Sequence, residues 1–187
     1  MKIIESKLKG AYLIQPDVFG DERGFFMEIW NKDRFSKDNL HFEFKQDNLS
    51  KSSKGVLRGL HFQNPHAQGK FVYVISGEVY DVFVDIRKGS PTFGQAEGYF
   101  LNEDNKSMLY VPEGFAHGFL VTSETAIFSY KCTDTYHPEA EHSILWNDPD
   151  LKIDWPLDCD PQLSGKDQKG IKLSDFPTEK LPVYQSN

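Results

Sequence analysis

The run from Val56 to Gln63 contains an arginine and a histidine, Arg58 and His61, inside a stretch that otherwise has the character of a β-strand. A strand directed at a core needs neither side chain, because arginine is almost never fully buried without a partner. The planar guanidinium binds phosphate through paired, charge-assisted hydrogen bonds. Histidine titrates near neutral pH, so it can accept and return a proton. The two residues together predict a pocket that holds an anionic group and moves a proton.

Arg58 and His61 have opposite parity along this strand, so a regular strand would direct them to opposite faces. If both enter one pocket, the backbone has to twist or bulge, and Gly59 is the residue where a bulge is expected. Otherwise Arg58 reaches the ligand from the rim or from a neighbouring subunit. The sequence leaves these arrangements open.

Strands predominate among the elements that would position these residues. Strand candidates lie at residues 71–75, 79–86, 108–111 and 126–132, and the first two are joined by a turn. A short helix is expected over residues 32–40, and Ser164 is a possible helix start because serine is a good N-cap. Short strands with frequent turns are typical of sandwiches and barrels. We therefore expect an N-terminal β arm, a central β-sandwich and a C-terminal segment packed against it.

Size and composition exclude several classes of protein. At 187 residues, with 14% aromatic residues, the chain is expected to form one packed domain. A formal net charge of −7 argues against non-specific nucleic-acid binding, which needs a basic surface. No apolar run approaches the roughly 20 residues of a transmembrane helix, and the N-terminus lacks a signal-peptide pattern. A cytoplasmic protein without membrane contact is expected, and Cys132 and Cys159 suggest neither a disulfide framework nor a metal site.

The segment Pro112–His117 resembles the second sequence motif of the cupin superfamily, Pro-x-Gly-x-x-His. A tight turn there would return the chain into a strand and direct His117 into a barrel. Many cupins bind a metal through this histidine and a His-x-His motif, but the matching place here reads His61-Phe62-Gln63. Transition metals in such sites usually need three or four ligands. We expect a cupin scaffold without a metal, and a metal-dependent cupin, such as a dioxygenase, is the weaker alternative.

A narrower resemblance covers most of the chain, from about Phe19 to Asp167. The sequence resembles the dTDP-4-dehydrorhamnose 3,5-epimerase family, metal-free cupin enzymes of nucleotide-sugar biosynthesis. Each motif is weak alone, but their number and common order are specific. The motifs are Phe19–Phe26, Gln46–Ser50, Leu57–Gln63, Gln68–Lys70, Asp85–Arg87, Ser90–Gly94, Pro112–Phe119, Tyr130-Lys131, Trp146–Pro149 and Leu163–Asp167.

The resemblance implies a cupin-type jelly-roll β-sandwich and a reaction that needs no cofactor. The implied substrate is dTDP-4-dehydro-6-deoxy-D-glucose, whose C4 ketone acidifies the protons on C3 and C5. Inversion at both carbons gives dTDP-4-dehydro-L-rhamnose, in dTDP-L-rhamnose biosynthesis. By resemblance, His61 is the base and Asp167 pairs with it. Lys70 stabilises the enolate oxygen, and Tyr130 is the acid on the opposite face of the sugar.

Further positions are substrate-binding by resemblance. They are Phe19, Arg23, Glu28, Gln46, Asp47, Asn48, Arg58, His117, Tyr136, Glu141 and Lys166, with Phe19 and Tyr136 as candidates to enclose the thymine. The family exchanges its N-terminal arm between subunits, which implies a homodimer. The sequence leaves open whether Arg23 and Glu28 serve their own site or the partner's. The expected divisions are residues 1–48 for the arm, 49–148 for the jelly-roll core and 149–187 for the C-terminal segment.

Several alternatives remain open at the level of sequence. A mono-epimerase acting on C3 or C5 alone could keep the same base, and a ketoisomerase would move the carbonyl by similar proton transfers. A non-catalytic nucleotide-sugar binding module would need the cations and aromatics but not His61 with Tyr130. Asp81 and Asp85 share one strand face, yet hydrogen bonding within the fold or exposure to solvent explains them without a catalytic role. His41, His66, His137 and His142 match no motif.

Overall fold

The computed structural model describes residues 1–185, and strands dominate it. The strands are Lys2–Glu5 (β1), Tyr12–Gln15 (β2), Val18–Asp21 (β3), Gly24–Met27 (β4), Gln46–Ser53 (β5), Leu57–Gln63 (β6), Lys70–Ser76 (β7), Glu78–Asp85 (β8), Ala96–Asn102 (β9), Met108–Val111 (β10), Phe115–Val121 (β11), Thr125–Cys132 (β12) and Glu141–Ser143 (β13). The predicted short helix is present as Lys32–Lys37 (α1), and 3₁₀ turns lie at Pro138–Ala140, Asp167–Lys169, Leu173–Asp175 and Thr178–Lys180.

The strands form two antiparallel sheets that pack face to face. The first has the order β1-β2-β10-β7-β12-β5 and the second β13-β6-β11-β8-β9. Their inner faces share one core, in which Val72 and Phe128 of the first sheet meet Val79 and Phe83 of the second. The mainly β, cupin-type sandwich with short C-terminal helical segments is thereby confirmed. No helix within residues 1–185 has the length and apolar character to cross a membrane.

The C-terminal segment covers the outer face of the second sheet. Val82 and Val84 of β8 pack there against Trp155, Leu173 and Phe176. β8 is buried on both faces, so most side chains on both sides of the strand are apolar. The aspartates on its inner face are exceptions. This packing, predicted from the sequence, also brings the loop before Asp167 back to the sandwich.

The N-terminal region divides between two environments. β1 and β2 extend the first sheet through pairing of β2 with β10, and Ile14 is buried there. β3 and β4 instead form a separate two-stranded hairpin. The hairpin leaves Phe19, Phe25 and Phe26 more than half exposed. The division at residue 48 falls inside β5 and stays a prediction.

An irregularity in β6 decides the question of Arg58 and His61. Opposite β11, His61 pairs with His117 and Arg58 with Phe119, so β6 contains one more residue than its partner over this stretch. The extra residue reverses the alternation of side chains between the two faces of the sheet. Leu57 and Leu60 therefore both lie on the outer face, where the C-terminal segment packs. Gly59 accommodates the bulge at φ 120°, where an added Cβ would lie 2.6 Å from Gly118 Cα. Arg58 and His61 consequently line the same cavity, as the bulge alternative requires.

Candidate active site

A cavity of about 390 Å³ opens between the two sheets. Eleven of the fifteen residues proposed from the sequence line it, namely Gln46, Asn48, Arg58, His61, Lys70, His117, Tyr130, Tyr136, Glu141, Lys166 and Asp167. Phe119 and Phe128, stacked with ring centroids 4.3 Å apart, supply part of its apolar surface. The cavity thus combines charged groups, a phenol and apolar walls, which suits a ligand with anionic and ring-shaped parts.

His61 and Asp167, 106 residues apart, form a short hydrogen-bonded pair in the cavity. His61 Nε2 lies 2.5 Å from Asp167 Oδ1, and the aspartate is only 3% exposed. Ser164 Oγ donates to Asp167 Oδ2 at 2.6 Å, and the Gly59 N–H donates to Oδ1 at 3.3 Å. Burial opposes ionisation of Asp167, but hydrogen bonds from His61, Ser164 and Gly59 outweigh it and lower its pKa to about 2. The carboxylate is therefore charged at neutral pH.

The imidazole of His61 has the protonation state of a base. Burial lowers its pKa below the ordinary value of 6.5, with Asp167 acting in the opposite direction. Since the charged carboxylate only accepts hydrogen bonds, Nε2 carries the proton of the neutral ring and Nδ1 carries the lone pair. The arrangement leaves one ring nitrogen oriented by Asp167 and the other available as a base.

Lys70 and Tyr130 enter the cavity from the first sheet, whereas His61 enters from the second. Burial lowers the pKa of Lys70, with Cys132 and Glu141 among the groups that oppose it. Burial raises the pKa of Tyr130 above 10.0, so its phenol keeps its proton at neutral pH. Because the two sheets face each other, a ligand between them is bounded by His61 on one side and Tyr130 on the other.

His117 forms a second histidine–aspartate pair within the fold. Its Nε2 lies 2.8 and 3.0 Å from the two carboxylate oxygens of Asp81, and both residues are buried. Burial raises the pKa of Asp81, while His117 lowers it. Asp85, on the same face of β8, instead accepts hydrogen bonds from Arg87 and Ser90. Of the two explanations left open by the sequence, exposure to solvent or hydrogen bonding within the fold, the second holds for both aspartates, which are fully buried.

At the rim of the cavity, one positively charged side chain is paired with a carboxylate and another is not. Glu141 accepts from Lys166 Nζ at 2.6 Å and from Tyr136 Oη at 2.7 Å. Arg58 donates to the Ser52 hydroxyl at 3.1 and 3.2 Å, and within residues 1–185 it has no carboxylate partner. A guanidinium held by a neutral hydroxyl keeps its charge available to an anionic ligand.

Four residues proposed from the sequence do not line this cavity. Phe19 and Arg23 lie on the exposed β3–β4 hairpin, where Arg23 pairs with Asp21. Glu28 accepts hydrogen bonds from the side chains that flank the start of α1, and Asp47 accepts from Lys131 at 2.9 Å. In a single chain these four positions are separate from the groups around His61.

Three residues hold the site together through contacts that the sequence did not predict. Ser164, expected from the sequence as a helix start, donates its hydroxyl to Asp167 Oδ2 and accepts from the Asp167 N–H, and the 3₁₀ turn itself begins at Asp167. Ser52, which contacts Arg58, and Asp81, which contacts His117, carry no comparable local signal because their partners lie on other strands.

Within the described residues, a group of three potential metal ligands occurs at His66, Asp134 and His137, outside the cavity lining. Inside the cavity, His61 and His117 each face an aspartate. Gln63, at the position of the missing histidine, is buried and directs its amide to the backbone of neighbouring loops. These residues do not form the three-ligand set of a metal-dependent cupin.

Comparison with known proteins identifies the family of this chain. The family model described as dTDP-4-dehydrorhamnose 3,5-epimerase matches residues 5–175. The chain belongs to this family. A Pseudomonas aeruginosa dTDP-4-dehydrorhamnose 3,5-epimerase is 52% identical over 176 residues, covering 94% of this chain and 97% of the relative.

Solved structures of the family have the same fold. A Legionella pneumophila 3,5-epimerase in complex with dTDP-4-keto-L-rhamnose superimposes with a TM-score of 0.96 at 51% identity, covering 99% of both chains. A 3'-monoepimerase from Streptomyces bikiniensis, in complex with dTDP-quinovose, superimposes with a TM-score of 0.89 at 33% identity. The superposition covers 96% of this chain and 92% of the Streptomyces chain. The shared fold therefore supports more than one stereochemical outcome.

Proposed function

We propose that this chain converts dTDP-4-dehydro-6-deoxy-D-glucose to dTDP-4-dehydro-L-rhamnose by inverting C3 and C5, without a cofactor. The observation that carries the proposal is the His61–Asp167 pair, at 2.5 Å, in a cavity that also contains Lys70 and Tyr130. Family membership and the likeness to a 3,5-epimerase that binds the product support the same reaction.

His61 is the proposed base for the carbon acids next to the ketone. Its Nδ1 lone pair accepts the proton, and the electron pair of the broken C–H bond moves into an enolate whose charge lies on the C4 oxygen. Asp167 stabilises the imidazolium that forms, because the carboxylate is charged and only 2.5 Å away. Lys70 is the proposed partner of the enolate oxygen, since a positioned donor is most effective where charge develops.

Tyr130 is the proposed acid that completes each inversion. Its phenol is protonated at neutral pH because burial raises its pKa. Its strand, β12, belongs to the sheet opposite that of His61. A proton delivered from this wall reaches the face of the sugar opposite to the one that lost a proton, which is the requirement for inversion. Each inversion leaves His61 protonated and Tyr130 as a phenolate. Before the second carbon reacts, the imidazolium must therefore release its proton to solvent and the phenolate must take one up.

The nucleotide is proposed to lie along the rim of the cavity. Arg58 and Lys166 supply positive charge for the diphosphate, and Tyr136, half exposed, offers a ring for the thymine. Further proposed substrate contacts are Gln46, Asp47, Asn48, His117 and Glu141.

A homodimer with exchanged N-terminal arms is the proposed assembly. The β3–β4 hairpin pairs with no other strand of the described chain and exposes Phe19, Phe25 and Phe26, which supports docking on a second copy. Such exchange would bring Phe19, Arg23 and Glu28 to the partner's cavity. Their separation from His61 within one chain is consistent with this role.

Incubation with dTDP-4-dehydro-6-deoxy-D-glucose in heavy water tests the reaction. NMR and mass spectrometry are expected to locate deuterium and inverted configuration at both C3 and C5. Inversion at one carbon alone would favour the mono-epimerase alternative, for which the Streptomyces relative provides a precedent. Absence of exchange, with nucleotide binding intact, would contradict the proposed activity.

Two histidine variants connect the reaction to the cavity. His61→Asn is expected to abolish exchange at both carbons while dTDP still binds, because it removes the base and leaves the rim intact. His41→Asn is the matched control, since His41 is exposed and lies outside the cavity lining. Turnover at the wild-type rate in His61→Asn would refute the assignment of the base.

A further inference from the structure

Two loops beside the cavity rim bring metal-binding side chains together. His66 follows β6, and Asp134 and His137 follow β12, with one potential ligand atom from each within 4.8 Å of the others. Asp134 Oδ2 lies 3.8 Å from His66 Nδ1. The imidazoles of His66 and His137 stack with centroids 3.9 Å apart and an angle of 11° between their planes. Two imidazoles and a carboxylate are a typical ligand set for zinc-like ions.

The backbone of both loops is fixed by a buried amide. Gln63, 5% exposed, donates through Nε2 to the carbonyl oxygens of His66 at 2.7 Å and Thr135 at 3.2 Å. Its Oε1 accepts from the His137 N–H at 2.9 Å. One buried side chain therefore holds the backbone of both loops in place, at or next to each of the three potential ligands.

Coordination of one ion requires the imidazoles of His66 and His137 to rotate out of their parallel stack, because a metal lies in the plane of each ring that binds it. Lys45 occupies Asp134 Oδ1 at 2.9 Å and leaves Oδ2 directed towards His66. Glu139 lies 3.1 Å from His137 Nδ1, and a proton shared there leaves Nε2 with the lone pair. The Thr135 hydroxyl lies 3.2 Å from Nε2, and a bound ion would displace this contact. Bonds of about 2.0–2.2 Å place tetrahedral ligand atoms roughly 3.4 Å apart. Separations within 4.8 Å therefore close by rotation of side chains that are partly exposed.

We propose that His66, Asp134 and His137 bind one divalent transition-metal ion of the zinc class, with water completing the coordination. The ion would take no part in the proton transfers, because none of its ligands lines the catalytic cavity. It would connect the loop after β6 to the loop after β12. Tyr136 lies between two of the ligands and contacts Glu141 at the rim, so a bound ion would restrain this part of the substrate entrance.

Titration of chelator-treated protein with Zn²⁺ by calorimetry, and with Co²⁺ by visible absorption, tests the proposal. One equivalent is expected to bind, and the Co²⁺ spectrum should indicate nitrogen and oxygen ligands. His66→Asn and His137→Asn are each expected to weaken binding by more than about tenfold, the loss already seen when second-shell partners are removed. His41→Asn, which alters an exposed histidine outside the group, should bind like wild type.

Lys45→Gln is expected to change the affinity for Zn²⁺ in the direction opposite to that of the histidine variants. Removing the cation that contacts Asp134 is expected to tighten Zn²⁺ binding, and this exposed side chain is not needed for the core. Zn²⁺ should also raise the melting temperature of wild type but not of His66→Asn, since only a ligand of the folded state stabilises it. Equal affinity in wild type and both histidine variants, or a thiolate band in the Co²⁺ spectrum, would overturn the site. So would the absence of saturable binding.

Discussion

Replacing Asp167 by asparagine preserves the size of the side chain but removes the charge that faces His61 across 2.5 Å. The amide oxygen can still accept the Nε2 proton, so the orientation of the ring is largely retained. The imidazolium formed after proton abstraction, however, loses its neighbouring negative charge. The expected consequence is a fall in kcat, with a much smaller change in KM, because the charge interaction develops as the proton moves.

The pKa of Asp167 sets the size of this effect. It lies at about 2, against an ordinary value of 3.8. At about 1.36 kcal/mol per pKa unit, the folded protein stabilises the carboxylate by roughly 2.5 kcal/mol. Ser164 and Gly59 contribute part of this stabilisation, which leaves roughly 1–2 kcal/mol for the pair with His61. Lost from the transition state, that energy reduces kcat about 5–30-fold.

Initial rates of deuterium incorporation at C3 and C5 measure the change. Both rates are expected to fall together, since one base serves both carbons. The matched control is Asp160→Asn, which removes an exposed aspartate from the same C-terminal segment and should leave the rates unchanged. Wild-type rates in Asp167→Asn, in a protein with a normal unfolding transition, would refute the role of the carboxylate. Loss at one carbon only would show that the two steps use different bases.

Three other measurements examine separate features of the site and fold. kcat/KM is expected to rise with pH through a midpoint below 6.5, because burial lowers the pKa of His61 and only its neutral form accepts a proton; a midpoint above 6.5 would contradict this. Tyr130→Phe should retain deuterium exchange by the base but lose inversion, as judged by NMR of the product, and full inversion at the normal rate would assign the donor elsewhere. Gly59→Ala should lower the free energy of unfolding by about 1–3 kcal/mol, because Gly59 has φ 120° and an added Cβ meets the neighbouring strand. Gly89→Ala is the control in denaturant unfolding, because Gly89 also has a positive φ (87°) but an added Cβ there would have no neighbour within 4 Å. Equal losses of unfolding free energy in the two variants would show that the contact with the neighbouring strand is unimportant.

The local pattern of the chain was sufficient to predict several elements. The β-like run of residues 79–86, joined by a turn to residues 71–75, predicted a strand, and β8 occupies residues 78–85 with both faces buried. The short helix before β5 and the packing of the C-terminal segment were also predicted correctly. These features depend on neighbours in sequence, whose side-chain periodicity is fixed by backbone geometry.

The sequence by itself determined which chemical groups are present and, through a long series of motifs, the family. The resemblance implied that Asp167 pairs with His61 and that Tyr130 lies opposite, but only the tertiary structure shows the contact between His61 and Asp167 and places Lys70 and Tyr130 on the other sheet. The one-residue bulge at Gly59 likewise became visible only in the pairing of β6 with β11. A contact between residues 106 positions apart depends on the packing of whole sheets and on the apolar surface that holds the C-terminal segment in place. Such packing is a collective property of the folded chain, and periodicity within a single strand does not encode it.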